Sequence, residues 1–125
     1  MTIQLHAESL FEHLRHICER PRMFAPDFSI THLMVFIYAY EAALRDAKLP
    51  SQEERFQAWI YKRHPDWRDS SMSWPGHVLE EQGGNIESAL DAIIGLLDEF
   101  LATDGAEFAN SPVRQRDYTP KEIKR

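Results

Sequence analysis

One cysteine in 125 residues leaves no partner for an internal disulfide, so nothing staples this chain and its fold must rest on a buried apolar core. Long apolar runs are missing too. No stretch approaches the roughly 20 residues that span a bilayer, and TIQLHAESLFEHL at the start lacks the basic and apolar regions of a secretory signal. The expectation is a cytoplasmic protein, with no membrane as its ligand and with Cys18 as a reduced, packed thiol. Glycine is scarce at five residues. No serine or cysteine is framed by glycines in a nucleophile elbow, and no glycine-rich phosphate loop precedes a helix. Strand-type alternation, internal repeats and low-complexity tracts are likewise absent.

The most telling gap is in positive charge. Residues 69 to 113 hold no lysine or arginine, yet they include Asp69, Glu80, Glu81, Glu87, Asp91, Asp98, Glu99, Asp104 and Glu107. The formal charge of -6 conceals this asymmetry. Residues 1 to 110 carry 9 basic and 18 acidic side chains, a net of -9. The last 15 carry Arg114, Arg116, Lys121, Lys124 and Arg125 against Asp117 and Glu122, a net of +3. An acidic body repels phosphate backbones and anionic lipid, which argues against direct nucleic-acid binding and favours a basic partner.

What remains is helical. NIESALDAIIGLLDEFL, Asn85 to Leu101, is the strongest amphipathic segment: Asn85 can cap it, and Ile86, Ala89, Leu90, Ile93, Ile94, Leu97, Phe100 and Leu101 recur at helical spacing. A first helix is predicted from Ser9 to Glu19, with Ser9 and Glu12 spaced as a capping box and Pro21 ending it. A connection, RPRMFAPD, is anchored by Met23 and Phe24. A long helix then runs from Ile30 to about Ala47, capped by Ser29 or Asp27. Its Glu41 lies at the edge of the apolar face and needs a cation, with Arg45 the nearest and Arg20 or Arg22 the alternatives. Ser51 and Glu54 open a third helix, SQEERFQAWIYKRH, with Phe56, Trp59 and Ile60 facing inward. His64 to Pro75 reads as an irregular linker carrying Trp67 and Trp74, residues that serve either as lids on the core or as anchors for a partner. A short helix, SWPGHVLEEQ, stops at Gly83 and Gly84. The prediction is an all-α bundle of about five helices over 1-110, with the Asn85 helix packed on those at Ile30 and Ser51. Residues 111-125 are expected to form a flexible basic tail.

Candidate chemistry is thin. His13 and His16 stand one turn apart, a spacing a metal could use, but no third ligand accompanies them, and His64 is isolated. Glu80 with Glu81 and Asp98 with Glu99 are adjacent on helices and so point about 100° apart, which does not make a convergent acid and base. The sequence therefore predicts no catalytic residue, no metal and no cofactor. The acidic strip Glu87, Asp91, Asp98 and Glu99 is different, because Asp98 and Glu99 occupy a last helical turn, where the macrodipole disfavours anions by a few tenths to about 1 kcal/mol. No cation is near in sequence to compensate them. Gly95 on the same side costs about 1 kcal/mol relative to alanine and would let another molecule approach the backbone.

The loop Arg20-Pro21-Arg22-Met23-Phe24, a following helix with Tyr38 and Tyr40, Phe56-x-x-Trp59-Ile60 with Arg63, and Ala92 to Phe100 (AIIGLLDEF) together resemble a group of small bacterial proteins. In that group an R-P-x-M-Y loop, a helix closing on Gly-Tyr, an F-x-x-W helix and an L-L-D-E-F helix recur. Many of its members look like immunity proteins of polymorphic or contact-dependent toxin systems. Phe24 stands here for the tyrosine, Ala25-Pro26 for a glycine and Ala39 for the glycine of Gly-Tyr. The resemblance implies a non-catalytic protein that neutralises a cognate toxin. Such toxins are often nucleases with basic clefts, so the expected contact surface is Glu80, Glu81, Glu87, Asp91, Asp98 and Glu99, with Trp67 or Trp74 as apolar anchor. The alternative is a structural or regulatory helical interaction module that self-associates; the sequence leaves the oligomeric state open.

Overall fold

The computed structural model describes residues 9–109 and builds them from seven α-helices and one 3-10 turn, with no strand among the described residues. These are α1 (Leu10–Glu19), the 3-10 turn (Pro21–Met23), α2 (Ile30–Asp46), α3 (Glu53–Arg63), α4 (Pro65–Arg68), α5 (Trp74–Glu81), α6 (Ile86–Ala102) and α7 (Ala106–Ala109). Five of them have eight or more residues, in the places the apolar periodicity predicts. No described helix is long and apolar enough to cross a membrane. The predicted basic tail, 111–125, lies outside the described residues.

Caps set the boundaries. Ser9 Oγ accepts from the Glu12 amide at 3.3 Å, and Asn85 Oδ1 from the Ser88 amide at 2.9 Å, each satisfying one orphan donor of a first turn. Of the two candidates for α2 it is Ser29 that caps, with His32 Nδ1 accepting from the Ser29 amide at 3.0 Å in place of the usual glutamate. Gly83 and Gly84, at φ 68° and 83°, turn the chain from α5 into α6.

Two helix starts are completed from elsewhere in the chain. The Leu10 amide donates to Gln52 Oε1 at 2.8 Å, tying α1 to the head of α3. Glu41 Oε2 accepts from the Gln52 and Glu53 amides at 3.0 and 2.9 Å, and its other oxygen accepts from the Ser51 hydroxyl. The expected arginine partner for Glu41 is thus replaced by the N-terminus of α3. Amide donors aligned with a helix dipole meet a carboxylate's need as well as a cation does.

α6 is the spine, as expected, but its closest neighbours are α1 and α5, with α7 folding back on its end. α2 lies against α5 and α1, and α3 reaches α6 through aromatic side chains. Phe100 of α6 meets Phe11 at 5.3 Å, Phe56 at 5.0 Å and Trp59 at 5.5 Å between ring centroids, while Phe56 meets Trp74 edge-on at 5.2 Å. Such contacts add about 0.5–1.5 kcal/mol each beyond burial. Trp74 and Trp67 are core residues. The Trp74 indole N–H donates to Glu53 at 3.1 Å, so the one polar atom of its ring is satisfied inside the bundle. Trp67 is clasped face to face between His64 and His77, at 3.8 and 5.0 Å. The stretch read as a linker is therefore partly helical, and neither tryptophan is presented to a partner. From Thr103 to Ala109 the chain adds to the core rather than leaving it, since Phe108 closes on Phe11 at 4.8 Å.

Candidate partner-binding site

Arg20 cannot extend α1 because Pro21 follows it. The chain instead makes a tight turn in which the Met23 amide donates to the Arg20 carbonyl at 3.1 Å and the Phe24 amide to Pro21 at 2.9 Å. That geometry throws Met23 and Phe24 outward, 72% and 57% exposed, so they do not anchor the connection as expected. Beside the turn is a shallow depression of about 410 Å³, walled by Glu19, Arg20, Arg22 and Met23 on one side and by Glu87 and Asp91 of α6 on the other. The arginine-proline loop and the head of the acidic strip, far apart in sequence, thus form one surface. Leu90 and Cys18 make its floor. The Cys18 thiol is pushed up to about 12 by burial first, with the negative charge of Glu19 adding to it, so it remains protonated and unreactive.

The acidic residues have separate fates. Asp98 pairs with Arg15 of α1, and Glu99 with Arg63 of α3, whose guanidinium also lies over the Trp59 ring at 4.2 Å. Glu87 meets Arg22 at 3.6 Å, both of them largely exposed. This overturns the expectation of an uncompensated strip: α1 and α3 bring arginines to the C-terminal turn of α6, where they offset the macrodipole penalty on Asp98 and Glu99. Those two carboxylates tie helices together. Glu81 and Asp91 make no ion pair among the described residues, and Glu80 has only His77 at 4.0 Å. Gly95 has nothing within 4 Å of where a side chain would begin.

Of the predicted contact residues, the fold therefore gathers Glu87 and Asp91 at the turn and leaves Glu80 and Glu81 at the outer end of α5. Asp98 and Glu99 are committed to internal pairs, and Trp67 and Trp74 are enclosed. Met23 and Phe24 are the surface residues that sequence reading misplaced. Their signal was Pro21, which forbids the helical register that would have turned them inward. Among the described residues no three histidine, cysteine, aspartate or glutamate side chains are grouped to hold a metal. His13 packs against Phe36 and Tyr40 of α2, at 5.9 and 5.6 Å, rather than standing in solvent beside His16.

Comparison of the chain with family models, curated proteins and solved structures gives no match in any of the three.

Proposed function

We propose that the chain is a non-catalytic immunity or inhibitor protein that binds and neutralises a basic toxin domain. Its contact surface is the turn at Met23 and Phe24 together with the carboxylates beside it. The observation supporting this reading is an exposed methionine and phenylalanine, adjacent on a turn held by hydrogen bonds, with Met23 lining an open depression whose rim also carries Arg20, Arg22, Glu87 and Asp91. Apolar anchors ringed by charge are what concentrates binding energy in protein interfaces. Pairing does not remove the field behind them, because each ion pair uses one charge of either sign. Residues 9–109 carry 9 basic and 17 acidic side chains, a net of -8 whatever the pairing. That net charge steers a cationic partner toward the surface and slows the approach of nucleic acid.

The reading is tested first by whether the neighbouring reading frame encodes a large secreted protein with a variable C-terminal domain, and then by titration calorimetry with that domain. A one-to-one complex is expected, weakened at least about 100-fold by Met23→Asp with Phe24→Asp, a loss of the size seen when interface anchors are removed. Equal affinity for wild type and variant contradicts it.

A further inference from the structure

The chain holds four methionines and one cysteine, of which Met1 lies outside the described residues. The other sulfurs differ in what surrounds them. Cys18 is buried, and its thiol, pushed up to about 12 by burial and then by Glu19, keeps its proton at neutral pH, so an oxidant that needs a thiolate finds none there. Met34 is half-buried, with its Sδ accepting from the Ser73 hydroxyl at 3.7 Å. Met72 is 40% exposed and lies folded onto Gly76, filling the space a side chain there would need. Met23 is 72% exposed on its turn, and its Sδ stands 4.0 Å from Nη1 of Arg20, a residue that is itself exposed. The two are fixed beside each other by the hydrogen bond from the Met23 amide to the Arg20 carbonyl at 3.1 Å. The sulfur most open to an oxidant is thus also the one on the contact surface, with a cation beside it.

We propose that Met23 is a reversible oxidation site, at which a peroxide converts the thioether to a sulfoxide held by Arg20 and so weakens the contact surface. This rests on the reading of the Met23 turn as that surface. A sulfur lone pair attacks one peroxide oxygen, an S–O bond forms and the O–O bond breaks. The departing hydroxide takes the proton of the attacked oxygen and leaves as water, so sulfur gives up two electrons and the peroxide gains them. An oxygen added on the guanidinium side stands one bond length nearer Arg20 than the sulfur does, which brings it to the ~2.7–3.2 Å of a hydrogen bond with a charged donor. The same donor favours the reaction, because negative charge develops on oxygen as the O–O bond breaks. Oxidation turns a flexible apolar anchor into a polar group already engaged by its own chain. A dithiol reductase reverses the change, the sulfoxide oxygen leaving as water while two thiols become a disulfide.

Hydrogen peroxide treatment of the full chain, followed by peptide mapping in a mass spectrometer, tests the chemistry without any partner. Met23 is expected to gain one oxygen at least about threefold faster than Met34 or Met72, with Cys18 unmodified. Arg20→Gln, with unchanged helical circular dichroism, is expected to slow Met23 at least about twofold and to leave Met72 unaffected. Equal rates at Met23 and Met72, earlier oxidation of Cys18, or a Met23 rate indifferent to Arg20→Gln overturns the proposal. Calorimetry with the C-terminal domain from the neighbouring reading frame then compares the oxidised and reduced chains. Oxidised protein is expected to bind at least about tenfold more weakly, with affinity restored by methionine sulfoxide reductase and a dithiol. Met23→Leu is expected to show no further loss on peroxide treatment. Equal binding by the oxidised and reduced chains, or an equal loss in Met23→Leu, overturns the switch, whereas a reduced chain that does not bind overturns the contact surface and the switch with it.

Discussion

Glu41 shows how a single carboxylate can organise a junction. It takes hydrogen bonds from the Ser51 hydroxyl and from two amides at the start of α3, and through Gln52 that start also caps α1. Glu41→Ala strips those donors of their acceptor and is expected to cost about 1–2 kcal/mol in urea unfolding, as lost helix caps do, with Glu41→Gln costing less. Stability equal to wild type would mean that water replaces the carboxylate. Sequence could locate Glu41 at the core edge but could not find its partner, because the turn from Lys48 to Pro50 that brings α3 back has no periodic signal. Cys18 supplies a pH prediction. Its ordinary value of 9.0 is raised to about 12, so between those values the unfolded chain releases a thiol proton that the native chain keeps. Stability must therefore fall with rising pH across that window, and Cys18→Ala should flatten the slope. The native thiol should resist alkylation at pH 8 and react once urea unfolds the chain.

At the level of elements, two glycines near the end of α6 respond oppositely to the same change. Gly95 faces open space in a helix interior, so Gly95→Ala should stabilise by about 0.5–1 kcal/mol. Gly105 lies against the Phe100 ring where its amide returns to the Phe100 carbonyl at 2.7 Å, leaving no room for a methyl group. Gly105→Ala should destabilise by about 1–3 kcal/mol, the usual cost of overpacking. Thermal melts of the two variants distinguish the cases, and a shift in the same direction for both would refute this view of the α6–α7 turn. The long helices and their buried faces were readable because amphipathic period and caps are local properties. The arginines that reach α6 were not, since Arg15 and Arg63 arrive through the packing of α1 and α3, which sequence spacing does not encode. Trp67 and Trp74 take the first of the two roles the sequence offered, as lids on the core, but what covers Trp67 was hidden for a related reason. Their segment lacks a helical period of its own, and the His64 and His77 rings that enclose Trp67 meet only in three dimensions.

For the whole molecule, local pairing and long-range field are separate matters. Asp98 and Glu99 are bound to internal arginines, so reversing them would break the bundle's own ties and confound any binding experiment. Glu80, Glu81 and Asp91 have no arginine or lysine partner among the described residues, and changing them alters the field with little consequence for the fold. The decisive measurement is the stopped-flow association rate of this protein with the proposed basic toxin domain, across ionic strength, for wild type and for Glu80→Lys, Glu81→Lys, Asp91→Lys combined. Electrostatic capture predicts a wild-type rate that falls steeply as salt is added. The triple variant should associate at least about tenfold more slowly at low salt, with a nearly flat salt dependence. Identical rates and identical salt slopes for the two proteins would contradict the account.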